Sequence, residues 1–290
     1  MCVLRVCHTL LLLLAPGAAA AAELKDETVA AYEAYIEVLE RRFAPEMQGS
    51  FSIEHAAEET RQRLRAGEIL GWPGQEDGIL DAPDGLIHHW RGAAFVPDAT
   101  LEAVLAVVQD YPSYAATYDW VIRSTLIGRE RRPERRQDHF RVLLRIERSA
   151  RMVTSVVDVW TVVEYRYPGR GRAVGTSRSD CVRQVENAGR PGERRLTAGR
   201  GSGYLWRANT FATYLHRDDG VYVDLHNVGL SRGFPPLLGW LIEPIARRLG
   251  RGSVTETLRQ LRDAVAVRDE RPPAAAQPPT ARSGDTWCGE

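Results

Sequence analysis

The residues with the most chemical capacity fall in a few extended stretches. His88-His89-Trp90-Arg91 puts two imidazoles, an indole and a guanidinium in a row. Successive strand side chains point to opposite faces, so His88 and Trp90 share one face and His89 and Arg91 the other. Between Tyr204 and His216 the same alternation predicts Trp206 and Tyr214 on one face, with Arg207, Asn209 and Phe211 opposite. Asp224 and His226 share a face further on, and Asn227 takes the other. Asp158 interrupts the apolar run Val153–Val163, where an acid is costly unless paired. Trp240 stands in a strongly apolar segment near the C-terminus.

Each type implies its own chemistry. A guanidinium can clamp a carboxylate through two parallel hydrogen bonds. An Asp or His within reach of one site could carry acid–base work. Aromatic rings supply the apolar wall of a small-molecule pocket. Adjacent His88 and His89 point apart and cannot both bind one metal, so no metal site is expected. The chain shows no HExxH, no EF-hand loop, no P-loop and no strand followed by GxGxxG. Ser202 has Arg200 rather than glycine two places before it, so Gly199–Gly203 is a connection and not a nucleophile elbow. No catalytic residue and no cofactor is assigned. The ligand-binding candidates are His88, Trp90, Arg91, Asp158, Trp206, Arg207, Asn209, Tyr214, His226 and Trp240.

These residues need elements to hold them. The first strand is Leu86–Val96. Pro97-Asp98-Ala99-Thr100 then opens a helix with Leu101, Val104, Leu105 and Val108 as its apolar stripe; Asp98 or Thr100 is its expected N-cap. Six β-type runs follow, over about 119–128, 138–148, 152–167, 172–187, 201–216 and 221–231. Pro168-Gly169-Arg170-Gly171, Asn187-Ala188-Gly189 and Asp218-Asp219-Gly220 read as hairpin connections between antiparallel neighbours. Pro235-Pro236 opens a final helical region, expected to be kinked or interrupted at Pro244 and Gly250–Gly252, with Val254, Leu258, Leu261 and Val265 as its later stripe.

Before the first strand, residues 23–84 read as an N-terminal helical extension. Val29, Tyr32, Tyr35, Ile36, Leu39 and Phe43 recur at helical spacing, and a second helical stretch covers 56–66. Gly71-Trp72-Pro73-Gly74 and Asp81-Ala82-Pro83-Asp84-Gly85 read as loops. Residues 1–22 read as a signal peptide: Arg5, an apolar Leu10–Leu14 core, a Pro16-Gly17 break and small residues, with cleavage near Ala20 or Ala22. The apolar run is short of a membrane span, so the mature chain is expected to be exported, to the periplasm or beyond, without a transmembrane segment. Cys181 and Cys288 remain after cleavage and are read as two free thiols, one in a strand and one in a Pro/Ala-rich tail, 269–290, expected to be disordered.

Composition sets the outer limits. The chain has 290 residues, 44% of them hydrophobic, which is enough for a substantial core. Its 38 basic and 38 acidic residues cancel, which gives no electrostatic case for a nucleic-acid partner. Nothing in it fixes an oligomeric state.

The element order resembles the helix-grip fold, the superfamily of START-related lipid-transfer domains, plant pathogenesis-related (Bet v1-like) allergens and bacterial polyketide cyclases. Thr100–Leu105 followed by Gln109-Asp110-Tyr111-Pro112-Ser113-Tyr114 is similar to that superfamily's helix and Asp/aromatic/Pro turn. Ser231-Arg232-Gly233-Phe234-Pro235-Pro236 is similar to its passage into the last helix. The resemblance covers about 85–268 and implies an α+β fold: seven antiparallel strands curved around a long C-terminal helix. It implies a hydrophobic or amphipathic ligand, such as a lipid, between sheet and helix. Two other readings stand beside it, an envelope interaction protein and a cyclase- or aromatase-type enzyme; the motifs favour binding over catalysis.

Overall fold

The computed structural model describes residues 22–150, 153–233, 239–269 and 287–288; the side chains of 149, 150, 153 and 239–246 lie outside that description. Residues 1–21 of the segment 1–22 read as a signal peptide lie outside it, as do tail residues 270–286 and 289–290 and residues 234–238 with Pro235-Pro236.

Among the described residues, twelve strands and five α-helices follow one another. β1 (Ala22–Glu23), α1 (Asp26–Met47), α2 (Glu58–Arg65), β2 (Leu70–Pro73) and β3 (Ile79–Ala82) come first. β4 (Gly85–Pro97), α3 (Leu101–Val108) and α4 (Tyr114–Thr117) come next. Then come β5 (Val121–Arg132), β6 (Gln137–Ala150), β7 (Val153–Gly169), β8 (Arg172–Glu186), β9 (Arg194–Arg195) and β10 (Arg200–Gly201). β11 (Arg207–His216), β12 (Gly220–Arg232) and α5 (Gly239–Asp269) complete the order. All seven strands read from the sequence are present, as β4, β5, β6, β7, β8, β11 and β12.

They form one antiparallel sheet in the order β2-β4-β12-β11-β8-β7-β6-β5, with β3 also on β4 and β9 on β8. Local chemistry fixes the hairpins. Asp218 and Asp219 both take φ +56°, and Arg217 and Gly220 exchange backbone hydrogen bonds, giving the two-residue turn that suits strand twist. At α3, Thr100 is the N-cap: its hydroxyl accepts the Ala103 amide at 3.1 Å.

The N-terminal region differs from its reading in one respect. Leu70–Pro73 and Ile79–Ala82 are strands that pair with β4, where Gly71-Trp72-Pro73 and Asp81-Ala82 read as loops. Both lie at the edge of the ladder, where a proline costs no paired N–H and a glycine strand is tolerated. α5 is continuous through Pro244 and Gly250–Gly252, so the helix is not interrupted there.

The sheet is covered on both faces. On the inner face, α3 and the later part of α5 pack Val104, Val107, Leu258, Leu261 and Val265 against Ala94, Val223, Ala212, Tyr214 and Phe140. On the outer face, α1 lays Tyr32, Ile36, Leu39 and Phe43 against Ile87, Phe211, Val228 and Leu230. Close approach of α5 depends on glycine. A Cβ on Gly92 would lie 2.9 Å from Leu258 Cδ1, and one on Gly250 would lie 2.1 Å from Trp90 Nε1.

Cys181 and Cys288 are bonded to each other, in place of the two free thiols read from the sequence. The bond fixes Trp287 and Cys288 against Leu143 and Trp160 on the outer face of β6–β8, with Arg141 over the Trp287 ring. Both cysteines lie far apart in sequence, and only the folded sheet brings them together.

Candidate functional site

β-Register sorts the candidate residues onto two faces. Trp90, Asn227, Thr210 and Ser177 sit opposite one another on neighbouring strands β4, β12, β11 and β8, so they form one row across the inner face. This row marks a change in packing. On its α3 side Leu225 and Ala212 are buried, whereas Asn227, Thr210, Ser177 and the following Ala208 and Gly229 are only half-buried. Beyond it lies an apolar patch, Val157, Val159 and Val182, with Ile146 and Leu205 packed against them.

The row has hydrogen-bonding capacity to offer. Thr210 donates its hydroxyl to Asn227 Oδ1 at 3.2 Å. The Asn227 amide N–H groups and the Ser177 hydroxyl have no protein partner among the described residues. His88, near the β3 end of the same face, shares a 2.8 Å hydrogen bond with the Ser231 hydroxyl. Burial lowers its pKa to about 4, so the ring is neutral at pH 7. An apolar surface bordered by a few neutral polar groups can hold an amphipathic molecule and orient its polar end.

Trp90 fixes the edge of this surface. Its indole is clamped between Gly78 and Gly250, each of which would collide with the ring if it carried a Cβ. Tyr214 also faces inward, but inside the packed core beside Tyr165. Trp240 lies in the first turns of α5, and its side chain lies outside the described residues.

Arg91, Asn209 and His226 face outward beneath α1, where they join a second polar cluster. Asn209 accepts from Tyr32 Oη at 3.1 Å. Tyr35 Oη lies 2.7 Å from His89 Nδ1, and His89 Nε2 lies 3.0 Å from His226 Nδ1. His226 Nε2 is 3.6 Å from Asp224, which also holds Arg91 in a two-point ion pair. One direction of donation satisfies this chain with both rings neutral: Tyr35 to His89, His89 to His226, His226 towards Asp224. Burial, with His226, Arg42 and Arg91 nearby, lowers the His89 pKa to about 3. Burial lowers His226 to about 4 against the opposing pull of Asp224. Glu46 completes the group; burial raises its carboxyl, although Ser52 donates to it through both backbone and hydroxyl.

Asp158 is fully buried on the outer face, 2.7 Å from Arg145 Nε and 2.5 Å from Arg195 Nε. Burial opposes its ionisation, but the hydrogen bonds from those guanidinium groups outweigh it and hold the carboxyl below its ordinary range. Its chemistry is that of a paired structural acid. Arg207 donates to the Trp206 carbonyl at 2.9 Å. Trp206 itself packs outward with Phe211 and Leu230, not inward with Tyr214, because it precedes the regular ladder of β11 and escapes its alternation.

Sequence reasoning missed Thr210 and Ser177, whose hydroxyls are ordinary strand residues until register sets them beside Asn227. It also missed Tyr35, which the helical pattern presents as part of an apolar stripe.

No protein-family model and no curated protein matches the chain. Solved structures of similar shape include a STAR-related lipid transfer protein fragment from Xanthomonas axonopodis, at 19% identity over 65% of this chain and 99% of that one, with a TM-score of 0.44. Human STARD10 aligns at 11% identity over 74% of this chain and 83% of its own, with a TM-score of 0.41. The Zhui aromatase/cyclase from Streptomyces sp. R1128 aligns at 13% identity over 63% of this chain and 96% of its own, with a TM-score of 0.39. It is the antiparallel strand order and the long C-terminal helix lying across the inner face, rather than these likenesses, that describe the chain as a helix-grip fold.

Proposed function

We propose that this protein is an exported binding module that holds an amphipathic small molecule, such as a lipid, between the inner face of its sheet and α5. The observation that carries the reading is the half-buried row Asn227, Thr210 and Ser177 beside the apolar patch of Val157, Val159 and Val182. The apolar part of the ligand enters beside the patch, displacing protein atoms that already bury Val157, Val159 and Val182, and its polar end takes the free amide and hydroxyl. These groups are neutral, as is His88 at pH 7, so the favoured polar end is uncharged: a hydroxyl, carbonyl or ester. Burying a charge there without a counter-ion would cost several kcal/mol, of order ~5.

The Cys181–Cys288 bond supports the export part of the reading, since such bonds persist in oxidising compartments. It adds to the signal-peptide pattern of residues 1–22.

Native mass spectrometry of the protein from its native compartment, followed by organic extraction, tests this directly. A near-stoichiometric neutral-headed lipid or similar compound is the expected result. Thr210→Val with Asn227→Leu should then reduce its occupancy without loss of fold. Undiminished occupancy in that double variant would place the ligand elsewhere.

A further inference from the structure

A second cleft lies on the other side of Trp90, where α5 passes the β2–β3 edge. It has a volume of about 690 Å³. Arg248, Arg251, Gly252 and Thr255 of α5 form one wall, and Asp77 stands opposite. Arg247 forms an ion pair with Asp77, which ties helix to loop and uses the cleft's inner carboxylate.

Arg248 and Arg251 have no ion-pair partner among the described residues. They are three positions apart on one helix, and Arg251 is four from Arg247. Like charges at these spacings repel one another. Counting Glu76 and Asp77 against three guanidinium groups, the lining keeps one net positive charge. At Gly252, next to Arg251, a Cβ would meet nothing within 4 Å, so the helix surface there is open. The base is polar too: Trp90 Nε1 is buried without an acceptor beneath Gly250.

We infer that this cleft is an anion-binding site, selective for a phosphate or carboxylate group held by Arg248 and Arg251. Planar guanidinium groups suit such oxyanions because each offers two parallel donors. The oxyanion relieves the repulsion along the helix; the two guanidinium groups are its donors, since the Thr255 hydroxyl is already donated to the Arg251 and Gly252 carbonyls. The site does not depend on the neutral trough across the sheet; Trp90 is the residue they share.

The test uses the full chain with its disulfide intact. Inorganic phosphate is titrated calorimetrically, and vesicles of phosphatidylglycerol or of phosphatidylcholine are tested by co-sedimentation. Arg248→Ala with Arg251→Ala should weaken binding of the responding probe by about tenfold or more. Gly252→Phe should block it by filling the cleft, while thermal unfolding shows the helix intact. The charge-matched pair Arg41→Ala with Arg190→Ala should leave it unchanged. Binding of phosphatidylglycerol vesicles without free phosphate identifies a lipid headgroup; binding of both identifies a small soluble anion. The inference is overturned if neither probe binds, if the Arg248/Arg251 variant binds as the wild type does, or if the remote arginine pair matters equally.

Discussion

The outer cluster makes stability depend on pH in a window set by histidine. His89 and His226 have folded pKa values of about 3 and about 4, against an ordinary value of 6.5. The unfolded chain takes up a proton at each ring as pH falls through 6.5, while the folded chain does not. Stability is therefore complete above pH 6.5 and declines as pH falls towards the folded values. Each group contributes about 1.4 kcal/mol per pH unit across that window. At pH 5 that is about 2 kcal/mol for one ring and at most about 4 for the pair. The loss is a large part of the roughly 5–15 kcal/mol that holds a typical domain. His88, with a folded value of about 4, adds a loss of the same sign. Glu46 works in the opposite direction, because its carboxyl is raised in the folded state. Asp158 does not enter this window, since its carboxyl is held below 3.8.

The diagnostic substitution is His226→Asn. Asparagine Oδ1 can take the place of Nδ1 as acceptor from His89, but it cannot titrate. Urea unfolding followed by circular dichroism, at pH 7.5 and in steps down to 5.0, compares the two proteins. The variant should lose about 2 kcal/mol less than the wild type over that range. If both lose the same amount, His226 is not a buried neutral ring in the folded state. The proposed direction of donation from Tyr35 to Asp224 is then wrong.

Other perturbations follow from the same physics. Arg145→Ala leaves the fully buried Asp158 with Arg195 alone and should cost about 3 kcal/mol in chemical denaturation; a loss below ~1 would show that Asp158 is well solvated. Gly250→Ala should destabilise by about 1–3 kcal/mol through its clash with Trp90, despite alanine's better helix propensity, and should shift tryptophan emission. Reducing Cys181–Cys288, or replacing Cys288 with serine, should lower stability by about 2–4 kcal/mol, read as a lower urea midpoint. An unchanged midpoint would mean that the bond closes no loop of the folding unit.

Much of the architecture was legible because it rests on local rules. Asp218-Asp219-Gly220 specifies its hairpin through residues that tolerate positive φ. Alternation in β4 and β12 correctly separated His88 and Trp90 from His89 and Arg91, and Asp224 and His226 from Asn227. The same rule failed at Trp206, which stands one residue outside its ladder. β2 was hidden because its glycine and proline suit an edge strand as well as a loop, and β3 because Pro83 and Gly85 follow directly after it. Pairing with β4 decided between them.

The sequence alone determined the seven long strands, the helix after the last of them and, Trp206 apart, which of their side chains share a face. These follow from periodicity of two or 3.6 residues and from turn chemistry, all within a short span of chain. Tertiary structure decided which face is covered by α1 and which by α5. It thereby made His89 part of an outer cluster and Asn227 part of an inner trough. It also joined Cys181 to Cys288, stacked Thr210 between Ser177 and Asn227, and opened the cleft beside Arg251. Those outcomes depend on register and on contacts between distant segments, which no local pattern encodes.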